Sequence, residues 1–238
     1  MKKAIIVGAT SGIGKELATI LANDNYKVGI TGRREHLLDE LRLANPDAYI
    51  CRKMDVTNFQ ETVSGLNSLS AQLGSLDLFI ICSGIGDINE YLDFETEKIT
   101  IDTNITGFTN AACWAFNYFE KQKNGHLVAV TSIGGLRGSR QAPAYNASKA
   151  YQINYLEGLR QKNHKMKSSV YITDIRPGLV STNMAKGDGL FWVMPVVKTA
   201  NQIYKAIKKK KKVAYVTKRW RLIAYILKML PPVIYKRL

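Results

Sequence analysis

The sequence predicts an α/β fold in which one parallel sheet is wound with helices on both faces. Three observations predict it. Short apolar runs alternate with amphipathic stretches from the amino terminus onward, the apolar runs are unbroken, and the first of them ends in the turn Gly8-Ala9-Thr10-Ser11-Gly12-Ile13-Gly14. An unbroken run suits a strand whose two rows of side chains both meet helices.

Lys3 to Gly8 reads as the first strand, Ile13 to Asn23 as a helix, Lys27 to Gly32 as the second strand and Glu35 to Ala44 as the second helix. Strands follow near Ala48 to Lys53, Asp77 to Ser83, Gly125 to Thr131 and Ser168 to Ile175. Helical stretches near Gln60 to Leu73, Asn104 to Glu120 and Tyr145 to Asn163 connect them, and right-handed crossovers place helices on alternate faces. In the first turn Gly8 closes the strand, Gly12 admits a pyrophosphate to the backbone, and Gly14 lets the next helix pack with its N-terminus toward the phosphates.

At 238 residues with 46% apolar side chains, the chain supports one full core, and no composition shift marks a second domain. Cys51, Cys82 and Cys113 are few, odd in number and follow no metal spacing, which fits a reducing compartment. His36, His126 and His164 are dispersed, so no metal site is expected. Met1 to Val7 reads as a first strand rather than a secretory signal, because its apolar run stops at the glycine turn. No segment reaches the roughly 18 to 20 apolar residues of a spanning helix. A cytoplasmic protein, at most attached to the inner face of a membrane, is expected.

The +15 formal charge is uneven: no acidic residue follows Asp188, whereas 13 of the 34 basic residues do. That leaves 21 basic against 19 acidic groups in residues 1–188, so the basicity belongs to the tail.

Tyr145 and Lys149 stand four residues apart, which on a helix places phenol and ammonium on one face. There the positive charge is expected to lower the phenol's pKa from about 10 and make a usable acid/base. Ser132 follows a strand and so lies at the carboxyl edge of the sheet, where its hydroxyl can donate to a carbonyl. Cys82 reads as a small apolar residue rather than a nucleophile.

The glycine spacing matches the Thr-Gly-x-x-x-Gly-x-Gly pattern of the short-chain dehydrogenase/reductase family, with Val7 at the threonine position. Asp55-Val56, Asn104, Ser132, Tyr145, Lys149 and Pro177-Gly178 follow in the family's order, so the chain resembles it along nearly its whole length. The resemblance implies a Rossmann-type sheet and hydride transfer between a nicotinamide dinucleotide and a carbonyl or secondary alcohol. It implies a cofactor held by Gly8, Thr10, Ser11, Gly12, Ile13 and Gly14, with Asp55 and Val56 flanking the adenine. Ser83 and Gly84 belong to the same cofactor site, in a Cys82-Ser83-Gly84 stretch where the family has Asn-Ala-Gly. Pro177, Gly178, Val180 and Thr182 would hold the nicotinamide carboxamide. Ser132, Tyr145 and Lys149 would be catalytic, with Asn104 supporting a proton relay through water to Lys149. Dimers or tetramers are implied as well.

Thr31-Gly32-Arg33-Arg34 offers no acid for a ribose 2′-hydroxyl, whereas the guanidinium groups of Arg33 and Arg34 suit a 2′-phosphate. NADP(H) is favoured over NAD(H). Residues 183–195 turn apolar after two glycines and are expected to form a lid over an apolar substrate. Residues 208–238 read as a basic amphipathic segment that either meets an anionic membrane surface, as in membrane-associated relatives acting on lipids, or docks on the domain or another subunit. No recognition motif for nucleic acid accompanies its charge. Two alternatives stand beside the enzyme: a dinucleotide-binding regulator without turnover, and a peripheral membrane scaffold.

Overall fold

The computed structural model describes residues 1–182 and 191–236. Among them seven strands form one all-parallel sheet: β1 (Lys2–Val7), β2 (Tyr26–Gly32), β3 (Tyr49–Lys53), β4 (Leu78–Ile81), β5 (Gly125–Val130), β6 (Val170–Pro177) and β7 (Val213–Val216), in the order β3-β2-β1-β4-β5-β6-β7. β1 pairs with β2 on one side and β4 on the other, so the winding reverses there and opens a crevice beyond their carboxyl ends.

The inner strands β1, β2, β4 and β5 are largely apolar because successive residues serve opposite layers, whereas edge-side β3 ends in Arg52 and Lys53 and β6 carries Asp174 and Arg176. Ala4, Ile6, Val28, Ile30 and Ile80 meet Leu17, Leu21, Leu38 and Ile203 from α1 (Gly12–Asn23), α2 (Glu35–Ala44) and α7 (Val196–Lys208). Ile5, Val7, Phe79 and Ile81 meet Leu66, Leu69, Phe116, Phe119 and Leu156 from α3 (Phe59–Leu73), α5 (Phe108–Gln122) and α6 (Pro143–Lys165). Each large side chain so buried contributes about 1.5–3 kcal/mol.

Two helices differ from the sequence reading. α4 (Phe94–Ile101) runs through a π-helical turn (Asp102–Gly107) into α5, so Asn104 sits mid-helix rather than at a helix start. α4 carries almost no apolar stripe, with only Thr100 buried, and is started by the Asp93 carboxylate accepting from Thr96 N–H at 2.9 Å. α7 lies between the lid at 183–195 and the tail at 208–238, where the sequence reading places no element, although Thr199, Ala200, Ile203, Ala206 and Ile207 recur at helical spacing and are buried.

β7 divides residues 208–238. Lys208 to Lys212 precede it at the amino edge of the sheet, where Lys208 pairs with Asp24 at 3.1 Å. α8 (Lys218–Met229) and α9 (Pro232–Tyr235) follow it at the carboxyl edge, beside the crevice.

Candidate active site

The loop leaving β4 joins the two halves of the site. A Cβ at Gly8 would lie 2.6 Å from the Ser83 backbone nitrogen, one at Gly84 would lie 3.3 Å from Lys149 Nζ and 3.3 Å from Asn104 Oδ1, and one at Gly86 would lie 2.3 Å from Tyr145 Cδ2. The glycine loop, the lysine and the tyrosine are therefore stitched to residues 83–86 in succession. Gly8 and Gly12 hold φ of 87° and 55°, which other residues adopt only under strain, and Gly14 approaches the Gly8 carbonyl too closely for a side chain. Thr182 closes on Gly12 from across the crevice, its Cγ2 3.3 Å from where a Cβ would sit.

At the far end of β2, Arg34 donates from Nη2 to Thr10 Oγ1 and Ser11 Oγ, each at 2.7 Å, while Arg33 is exposed. Asp55 spends its carboxylate on its own turn, accepting from the Thr57 N–H at 3.0 Å and the Thr57 hydroxyl at 2.9 Å, and Val56 is buried against Gly107. Ile13 packs on the core behind the glycine loop. Gly178 donates its N–H to Val216 O at 2.8 Å, and Val180 bridges to Met194. The lid expected over 183–195 falls largely on 183–190, outside the described residues; Phe191 and Trp192 are described and stack with Trp220 of α8.

Ser132 follows β5 and accepts from Gly134 N–H at 3.0 Å, and a Cβ at Gly134 would lie 3.3 Å from Ser132 Oγ and 3.6 Å from Tyr145 Cε1, so hydroxyl and phenol ring meet at this turn. Asn146 fastens α6 to this loop, donating to Gly134 O at 2.8 Å and Arg137 O at 2.9 Å. The N-terminus of α6 is capped from outside: Glu97 Oε2 accepts from Ala144 N–H at 2.9 Å, and Glu97 Oε1 accepts from Asn89 at 2.8 Å.

The expected acidification of Tyr145 is not what the geometry produces. Burial pushes the phenol up, and its hydrogen bond with Ser132 acts the other way. Lys149 Nζ lies 5.7 Å from the Tyr145 ring centroid and turns inward, donating to Gln152 Oε1 at 3.1 Å and Val130 O at 3.3 Å. Burial pulls its ammonium down to about 8.

Asn104 is fully buried: its side chain accepts from Ile85 N–H at 2.9 Å and donates to Ile85 O at 2.6 Å and Ser148 Oγ at 3.0 Å. It thus holds the β4 loop against α6. Its backbone carbonyl accepts from Gln152 Nε2 at 2.8 Å, and the same glutamine accepts from Lys149 Nζ, so the Gln152 amide connects the two. Gln152, Glu97, Asn146 and Gly86 were all missed in sequence. Gln152 alone carried a signal there, one helical turn beyond Lys149.

Burial pushes the Cys82 thiol up to about 12, leaving it unreactive near neutrality. His126 is buried on Thr173 Oγ1 at 2.8 Å, and among the described residues no His, Cys, Asp or Glu cluster fits a metal.

The residues present fit a nicotinamide dinucleotide. The crevice is floored by bare backbone at Gly8 and Gly12, and the buried Ser83 hydroxyl beside it has no hydrogen-bond partner.

Residues 2–189 match the short chain dehydrogenase family. An uncharacterized oxidoreductase of Myxococcus xanthus is 34% identical over 188 residues, covering 77% of this chain and 74% of that protein. An uncharacterized oxidoreductase of Staphylococcus aureus is 31% identical over 184 residues, covering 76% and 79%. Among solved structures, a short chain dehydrogenase from Burkholderia cenocepacia in complex with NADP superposes with a TM-score of 0.85 at 19% identity over 100% of this chain and 98% of that one. A short chain dehydrogenase/reductase from Burkholderia phymatum in complex with NAD gives 0.84 at 18% identity over 94% and 92%. The two solved structures share the fold of this chain, and the two oxidoreductases share about a third of its sequence over the matched residues. The chain belongs to the short-chain dehydrogenase family of oxidoreductases.

Proposed function

We propose that this chain is an NADP(H)-dependent carbonyl reductase, or alcohol dehydrogenase in reverse, acting on an apolar substrate. The observation that carries the reading is the packing of Ser132 Oγ and the Tyr145 ring around Gly134, with Tyr145 and Lys149 held by the same β4 loop that meets the glycine turn. NADPH, when bound, supplies the hydride. Ser132 orients the carbonyl oxygen, and Tyr145 delivers a proton to it as negative charge develops, so the phenol's raised pKa suits it to begin as the acid. Lys149 keeps one N–H free of Gln152 and Val130 for a cofactor ribose hydroxyl. Ser83, Gly178, Val180 and Thr182 line the cofactor side, and Asn104 braces the loop between the two.

Arg34, already anchored on Thr10 and Ser11 above the glycine turn, and the exposed Arg33 favour a 2′-phosphate. Replacing both by alanine should weaken NADPH far more than NADH; equal losses contradict the assignment. The aromatic group of Phe191, Trp192 and Trp220 beside Gly178 favours an apolar substrate, for which each buried methylene added to a ketone should lower KM about fourfold. A regulator without turnover would bind NADPH and consume none across such a series. Assembly as a homo-oligomer remains part of the proposal, tested by sedimentation.

A second reading concerns place. α8 packs inward through Trp220, Ile223, Ala224 and Leu227, and turns outward an apolar stripe of Leu222, Tyr225, Ile226 and Met229, continued by Val233 and Ile234. Arg219 flanks the stripe on one side, Arg221 and Lys228 on the other. Docking on the domain accounts for the inner face only. The outer face fits the surface of an anionic bilayer, with its cations at the headgroups. Sedimentation with phosphatidylglycerol vesicles should capture the protein, more weakly at high salt, and Leu222→Asp with Ile226→Asp should abolish capture. Equal capture of that variant would overturn it. Among the described residues no helix is long and apolar enough to cross a membrane.

A further inference from the structure

We propose that Gln152 is a positioning residue for this site: its side-chain amide clamps the Lys149 ammonium to the Asn104 carbonyl. The inference rests on Tyr145 and Lys149 acting as proposed above.

The clamp is made of three buried groups on two helices. The π turn at 102–107 carries Asn104, whose backbone carbonyl accepts from Gln152 Nε2 at 2.8 Å. One turn beyond Lys149 on α6, the Gln152 Oε1 accepts from Lys149 Nζ at 3.1 Å. Gln152 is 1% exposed, Lys149 4% and Asn104 0%. An amide offers one acceptor and two fixed donors, so it cannot reverse the sense of this chain of hydrogen bonds as a water or hydroxyl can. Lys149 is therefore held in one orientation, facing Gln152 and Val130.

The charged and titratable groups facing Lys149 are few. Cys82 beyond β4 is kept neutral by burial, Tyr145 shares its helix, and Asp174 on β6 is engaged by Arg176 at 2.7 Å and by the Thr131 hydroxyl at 2.6 Å. Among the described residues no carboxylate contacts the ammonium, and Gln152 Oε1 and Val130 O are the acceptors that the fold sets on it. This fits its depressed pKa of about 8.

The test compares Lys149 titration in wild type, Gln152→Leu and Gln152→Glu by NMR of isotope-labelled lysine, with the resonance assigned through Lys149→Arg. Gln152→Glu places a carboxylate on the ammonium and should raise the midpoint by about one to three pH units. Gln152→Leu, which removes the acceptor at similar volume, should lower it. The pH profile of kcat should move in the same order. Coincident midpoints, or any other order, overturn the proposal. If Gln152→Leu fails to fold, Gln152→Glu decides alone, as the shape is kept. A wild type that reduces no ketone would sink the reductase reading and leave the titration still decisive for Gln152.

Discussion

Tyr145 shows how burial and hydrogen bonding compete at a single atom. Desolvation raises the phenol's pKa, Ser132 opposes it, and the lysine four residues on is turned inward, so proximity along a helix did not translate into acidification. What holds the ring in place is Gly86, where even a methyl group would meet Tyr145 Cδ2 at 2.3 Å. Gly86→Ala should therefore cut kcat by about 10²-fold through displacement of the phenol, with NADPH binding retained. A variant of full activity would show that the ring has room. His126 tests burial by pH. Its pKa falls from 6.5 to about 4, so between those values the unfolded chain takes a proton that the folded chain refuses. Its contribution is full above pH 6.5 and shrinks as pH falls, by up to roughly 3 kcal/mol. Thermal melts should show His126→Gln losing less stability than wild type between pH 6.5 and 4; parallel losses contradict this.

At the scale of elements, α6 depends on a neighbour for its start. Ala144 N–H is satisfied by Glu97 of α4, a cap from another helix that also grips Asn89. Glu97→Ala should cost about 1 kcal/mol, a Tm drop of about 2–4 °C, and lower kcat as the first turn carrying Tyr145 frays. An unchanged kcat with a lowered Tm would mean that the fraying stops short of the phenol. The carboxyl edge is closed by α8, whose Trp220 lies on Gly178, and whose last carbonyls, at Leu227 and Leu230, accept from Arg137 Nη1 at 3.1 and 2.7 Å. Trp220→Ala should destabilise by about 3–5 kcal/mol, read by denaturant unfolding, and loosen the Pro177–Thr182 segment. A loss under 1 kcal/mol would show α8 to be peripheral to the fold.

At the scale of the whole molecule, the sheet was legible because its inner strands are built on short apolar runs, such as residues 4–7 in β1 and Leu78–Ile81 in β4, and the glycine turn because close backbone approach at Gly8 and Gly14 admits no side chain. α4 was not legible, since it buries almost nothing of its own and is fixed by its capping residue and by α6. Gln152, Glu97 and Gly86 were hidden for a related reason: their partners lie 48, 47 and about 60 residues away in sequence and are brought near only by the fold. The tail's lysine run and its amphipathic helix lie at opposite edges of the sheet because β7, legible in sequence as the apolar run after Lys212, passes between them.

The account stands or falls on proton delivery by Tyr145 to a carbonyl reduced with NADPH. The direct measurement is NADPH consumption across a ketone series by wild type and Tyr145→Phe, with cofactor affinity measured in parallel. The wild type should reduce apolar ketones, and the variant should bind NADPH normally while losing about 10²–10⁴-fold in kcat/KM. Equal turnover by both proteins would contradict it.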